Sequence, residues 1–116
     1  MSTASLDLEP GPAAVGSLVG LAGLLFLLVP VVGSVPVAGR AIPLVVLSAA
    51  TLAVGFALGA LVFARRGRRL FAIAHGVFGA AWTLLVAGPL LGSEPLFYAG
   101  VVVLLAGCGF LASESR

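Results

Sequence analysis

The sequence contains no lysine, no asparagine and no glutamine, and it has a single cysteine, a single histidine and four carboxylates. Each scarcity excludes something. A soluble domain covers itself with charge, typically about 25% of its residues. Here only 9% are charged and 61% are hydrophobic, with a mean hydropathy of +1.27. Water alone cannot solvate such a chain, so a bilayer must be part of its solvent. The lone Cys108 can form no internal disulfide. The lone His75 has no second imidazole, carboxylate or thiolate near it in sequence, which is too few ligands for a metal site. So few titratable groups give no nucleophile–base pair, and the chain reads as neither an enzyme nor a cofactor carrier. The basic pI near 9.5 comes from one arginine cluster. It therefore points to anionic lipid headgroups and not to nucleic acid. The missing residue types, beside abundant alanine, glycine, valine, leucine and arginine, fit a GC-rich prokaryotic genome.

What is present is four long apolar runs, near 13–33, 42–63, 70–91 and 95–112. About 20 residues cross the hydrocarbon core as a helix, and about 17 suffice. None of the four carries Asp, Glu, Lys or Arg in its interior. In lipid, backbone groups must be satisfied within the segment, so helices are expected. A barrel strand would alternate polar and apolar positions, which Val101 to Leu105 do not. The expected fold is all-α, an integral membrane bundle of four transmembrane helices arranged as two tandem helical hairpins. The domain boundaries follow: a tail at 1–11, one membrane domain at 12–112 and a tail at 113–116. The first tail carries Asp7 and Glu9 and no basic residue. The first run is therefore expected as a retained helix, with a signal cleaved near Val37-Ala38-Gly39 as the alternative.

Arg65, Arg66, Arg68 and Arg69 hold four of the six basic residues. They lie in a short loop between the second and third runs. Positive loops stay on the cytoplasmic side. Short loops make neighbouring helices antiparallel, so both termini fall inside as well. Arg116 joins the inner set, and only Arg40 lies outside. The expected location is a prokaryotic plasma membrane, with anionic headgroups against the arginine loop.

Pro30-Val31-Val32-Gly33-Ser34-Val35-Pro36 recurs as Pro89-Leu90-Leu91-Gly92-Ser93-Glu94-Pro95. Upstream, Gly20, Gly23 and Phe26 match Gly76, Gly79 and Trp82. Downstream, Pro43, Leu44 and Gly55 match Pro95, Leu96 and Gly107 at the same spacing. The reading is two parallel repeats, each a hairpin. Pro30 and Pro89 are expected to bend or end their helices, and Gly-Ser to permit the turn. A spaced-glycine helix, an outer proline, a tight turn and a second glycine-bearing helix resemble the hairpin unit of HdeD-like membrane proteins, over about 19–59 and 74–112. That family typically repeats three hairpins where this chain has two. The resemblance implies a stress-related membrane bundle, and it brings no catalytic residues.

Gly16-x-x-x-Gly20 and Gly55-x-x-x-Gly59, with Gly76 and Gly79, are candidate helix-packing sites, because small residues let helices approach closely in lipid. They serve either this chain's own bundle or contact with a second copy or a membrane partner. His75 lies about 9 Å inside the third helix at 1.5 Å per residue. An intramembrane ionisable group is a functional candidate, and a helix–helix hydrogen bond or a reach toward headgroups is its plainer role. Ser17, Ser48, Thr51 and Thr83 bond to carbonyls or line a narrow polar path. Trp82 is expected mid-span against a glycine face, with its N–H needing a partner. Phe97 and Tyr98 are outer-boundary anchors, and Arg40 and Glu94 a candidate surface pair.

Two function classes follow. The first is a small non-enzymatic membrane protein: a scaffold, accessory subunit or stress-related bundle. The second is an oligomeric small transporter or channel. Small multidrug resistance transporters are of similar size, but they depend on a glutamate in the first span, which is absent here. Convergence of His75, Ser48, Thr51 and Thr83 on one cavity would favour the second class. Separate helix contacts would favour the first.

Overall fold

The computed structural model describes residues 9–115. Asp7, Arg116 and the tail up to residue 8 lie outside the described residues. The fold is all-α, with helices α1 (Pro10–Leu28), α2 (Leu44–Arg65), α3 (Arg69–Leu91) and α4 (Glu94–Glu114). A short antiparallel hairpin, β1 (Ser34–Val37) and β2 (Arg40–Pro43), joins α1 to α2. All four helices are long and apolar enough to cross a membrane.

The helix ends follow from the sequence. Pro10 and Pro12 open α1, where a missing N–H costs nothing. Pro30 cannot extend it, and the chain turns at residues 29–31, so α1 stops short of the expected end at residue 33. The α2 helix closes on Gly67 at φ 72°. The Gly67 N–H donates to the Ala64 carbonyl at 3.1 Å and the Arg68 N–H to the Phe63 carbonyl at 2.9 Å. The α3 helix closes the same way on Gly92, with the Ser93 N–H donating to the Gly88 carbonyl at 2.8 Å. Both are left-handed glycine caps that satisfy last-turn carbonyls. Ser93 then caps α4 by accepting from the Leu96 N–H at 3.4 Å. Pro89 lies inside α3, which runs two residues past it.

The first connection is a β-hairpin where the sequence suggested a plain loop. Ala38 and Gly39 both have positive φ, 51° and 79°, as a two-residue hairpin turn requires. Two prolines in the ten residues from Ser34 to Pro43 argue against strands. The register resolves this. Val37 pairs with Arg40 and Val35 with Ile42. The Leu44 N–H donates to the Gly33 carbonyl at 3.0 Å. The hydrogen-bonded pairs are therefore the odd positions of β1. Pro36 and Pro43 fall at the alternate positions, where an N–H would point away from the partner strand. They cost the hairpin no bond, and they remove edge donors that could pair with another chain.

The helices pack in serial order. Extended interfaces join α1 to α2, α2 to α3 and α3 to α4. The central pair is α2–α3, with α1 on one flank and α4 on the other. Apolar side chains gain nothing by leaving lipid for another helix, so these interfaces rely on close approach. The most buried side chains are small: Ala81 and Ala22 are 0% and 2% exposed. Large apolar residues such as Leu27, Val102 and Leu105 point outward, as lipid solvation permits.

The two hairpins share a contact pattern. Ala22 lies eight residues before Pro30, and Ala81 eight before Pro89. Ser48 lies five residues after Pro43, and Gly100 five after Pro95. The Ser48 hydroxyl donates to the Ala22 carbonyl at 2.7 Å. At Gly100 the backbones come so close that a Cβ would sit 2.9 Å from the Ala81 carbonyl oxygen. Gly55 and Gly107, at matching positions further along, face α1 and α3 respectively. The first hairpin differs in carrying the two β-strands in its connection. The upstream match is not shared in contacts. Gly76 and Gly79 face α2, whereas Gly20 and Gly23 meet nothing within 4 Å.

Gly100→Ala is expected to destabilise the α3–α4 pair by about 1–3 kcal/mol, the usual cost of overpacking. Gly20→Ala should cost nothing. Thermal unfolding of both variants in one detergent checks the contrast, and equal midpoints would contradict the serial packing.

Candidate functional site

The polar side chains within the spans do not converge. Ser48 is the only buried polar residue among the described residues, 6% exposed, and it bridges α2 to α1 through the Ala22 carbonyl. Thr51 donates to the Leu47 carbonyl at 2.8 Å, and Thr83 to the Gly79 carbonyl at 2.7 Å. Both bonds return to the residue's own helix, four positions back. Nδ1 of His75 lies 2.7 Å from the Phe71 carbonyl, also four positions back. That bond requires the proton on Nδ1, because a carbonyl oxygen only accepts. Ser17 is exposed on α1.

His75 sits in an aromatic collar near the arginine loop. Its ring centroid lies 4.9 Å from that of Phe63 and 5.6 Å from that of Phe56, both on α2. Phe71 packs on Phe63 at 5.6 Å, and Phe78 on Phe56 at 5.8 Å. The seat of the imidazole is Gly59. A Cβ there would lie 2.2 Å from Cδ2 and 2.8 Å from Cγ of His75. The ring is therefore fixed by its Phe71 bond on one side and by the bare backbone of Gly59 on the other. The expected helix–helix hydrogen bond of His75 is not formed: its hydrogen bond stays within α3, and its contact with α2 is ring packing.

The remaining candidate packing glycines divide into two sets. Gly55 is buried against Leu18 and Val19 of α1, and Gly79 against Phe56 and Ala57 of α2, while Gly76 faces Ala60. Gly16 and Gly20 are exposed, with nothing within 4 Å of where a Cβ would stand.

Two apolar clefts of about 370 Å³ each flank Trp82 in the half of the bundle nearest the β-hairpin. One is lined by Ala22, Phe26, Ser48 and Leu52. The other is lined by Val46, Leu85, Pro89 and Phe97. Trp82 stands between the two clefts and shares the first with Gly23 of α1. Among the described residues its indole N–H has no hydrogen-bond acceptor. The only hydroxyl in either cleft, that of Ser48, is already bonded. Such walls accept apolar matter and offer no acid, base or nucleophile.

At the opposite end, the four loop arginines are exposed. Arg66 forms an ion pair with Glu9, the residue before α1. Arg68 lies over the Phe71 ring, 5.1 Å from its centroid. Arg65 closes α2, where a cation suits the helix dipole. Arg69 opens α3. The Glu9–Arg66 pair was not legible in the sequence, because nothing in the spacing of residues 9 and 66 marks them as neighbours. The pair expected between Arg40 and Glu94 is absent among the described residues, where Arg66–Glu9 is the one ion pair. Phe97 and Tyr98 stack edge to face, 5.7 Å apart, at the start of α4. No group of three or more His, Cys, Asp or Glu side chains comes together among the described residues.

No protein-family model matches this chain, and no curated protein or solved structure does either. The functional reading therefore rests on the geometry.

Gly59→Ala is expected to destabilise the fold by about 1–3 kcal/mol through its clash with the imidazole. His75→Ala alone should leave insertion and helix content nearly unchanged, and the double variant should recover most of the loss. Circular dichroism melts of the three variants measure the coupling. An additive double variant would mean that Gly59 and His75 do not share a seat.

Proposed function

We propose that this chain is a small non-enzymatic multi-pass membrane protein, a scaffold or accessory subunit built from two tandem helical hairpins. One observation carries the reading. His75, Ser48, Thr51 and Thr83 each spend their hydrogen bond on a backbone carbonyl, in separate places. A conducting path or a reaction centre needs polar groups that face a common space and remain available to a solute. Here only Ser48 ties two helices together, a contact worth about 0.6 kcal/mol, and the other three are satisfied within their own helices. The shared Ala22–Ser48 and Ala81–Gly100 contacts support an origin by duplication. The likeness to HdeD-like hairpins extends the reading to a stress-related bundle.

The same reading places the protein in a prokaryotic plasma membrane with both termini cytoplasmic. The Glu9–Arg66 pair supports this, since it puts the start of α1 on the side of the arginine loop. Arg40 sits in the hairpin at the other end. The positive-inside bias then favours the arginine end as the inner one.

A second reading, an oligomeric small transporter or channel without an intramembrane carboxylate, draws on one observation. Among the described residues nothing packs against Gly16 or Gly20 of α1, which leaves this face for a second copy or a membrane partner.

Purified protein reconstituted into vesicles with an entrapped pH dye separates the two. The scaffold reading predicts that an imposed proton or potassium gradient decays no faster than in protein-free vesicles. A protein-dependent leak that scales with protein density would overturn it in favour of the second reading.

A further inference from the structure

We propose that the α2–α3 loop is a docking surface for an anionic glycerophospholipid, carried by Arg65 and Arg69, with Glu9 holding a third arginine in reserve. The inference extends the membrane placement above and rests on it.

The four loop arginines are not equivalent. Arg66 has its charge matched by the Glu9 carboxylate. Arg68 is laid over the face of Phe71. Arg65 and Arg69, at the last position of α2 and the first of α3, are exposed. No acidic residue occupies the first turn of α3, and its N-cap has no side-chain acceptor. The field there is positive from both the guanidiniums and the helix end. A phosphodiester complements it, and guanidinium pairs with phosphate in bidentate geometry. What commits the surface to a lipid, and not to a free phosphate, lies one step along α3. Leu70 and Phe71 follow the arginines directly and are 44% and 47% exposed. They offer acyl chains an apolar wall next to the headgroup contact.

Glu9 gives the surface an internal competitor. Its carboxylate occupies Arg66, so its removal frees one more guanidinium. A basic patch that only sets topology has no such dependence.

The test uses the full chain in a neutral detergent. It is titrated with dioleoyl phosphatidylglycerol or dioleoyl phosphatidylcholine, and bound lipid is counted by native mass spectrometry. Mixed micelles impose no orientation, so a failure here sinks the lipid site and leaves the topology untouched. The proposal predicts tighter binding of phosphatidylglycerol. It predicts about fivefold weaker binding for each of Arg65→Gln and Arg69→Gln, the equivalent of about 1 kcal/mol per arginine. It also predicts about fivefold tighter binding for Glu9→Gln, a gain that misfolding cannot mimic. Equal binding of the two lipids, or no change in the Glu9→Gln variant, would overturn it. So would displacement of the lipid by glycerol phosphate at matching concentration.

Discussion

In lipid, apolar helices gain nothing by leaving their solvent, so the fold depends on how closely two backbones can approach. Where Gly59 meets the His75 ring, and where Gly100 meets the Ala81 carbonyl, there is no room for even one methyl group. These seats fix the order of the helices. Most large side chains are left for the bilayer, which explains a core dominated by alanine and glycine, with Val15 and Leu44 as its larger members.

The same constraint governs the polar groups. A hydroxyl or imidazole inside a span must find an acceptor, and the nearest one is a carbonyl on its own helix or the neighbouring one. Thr51, Thr83 and His75 take the first option, and Ser48 takes the second. Once they are satisfied in this way, little polarity remains to face the clefts around Trp82. The scaffold proposal rests on this disposition of the polar groups, which the lipid solvent imposes as much as the residue inventory does. The unmatched charge is concentrated outside the spans, at the loop between α2 and α3.

Much of the architecture was legible in the sequence because bilayer thickness and backbone satisfaction act on composition alone. The four spans and the glycine-bearing turns at Gly67 and Gly92 belong to that class. The Pro30 stop was read correctly in kind, although α1 ends earlier than the apolar run does. The β-hairpin was missed for a specific reason. Pro36 and Pro43 weigh against strands until the pairing register is known, and only the register shows that their missing donors face outward. The division of the glycines was equally hidden. Gly16 and Gly20 resemble Gly55 and Gly59 in spacing, and which pair meets another helix depends on helix rotation, which a run of uniformly apolar residues does not encode. The antiparallel spans put Glu9 and Arg66 on one side, but their contact also needs the start of α1 packed against the end of α2. No local pattern carries that.

Intramolecular disulfide cross-linking in a Cys108→Ala background tests the serial, glycine-seated packing most directly. A Cβ at Gly76 would stand 3.7 Å from the Cβ of Ala60, close to the mean separation of about 3.8 Å in disulfides. The Ala60→Cys/Gly76→Cys variant should therefore oxidise readily to a cross-linked monomer, while cysteines paired across α1 and α4 should not. Failure of the first pair to close, or efficient closure between α1 and α4, would contradict this arrangement of the four helices.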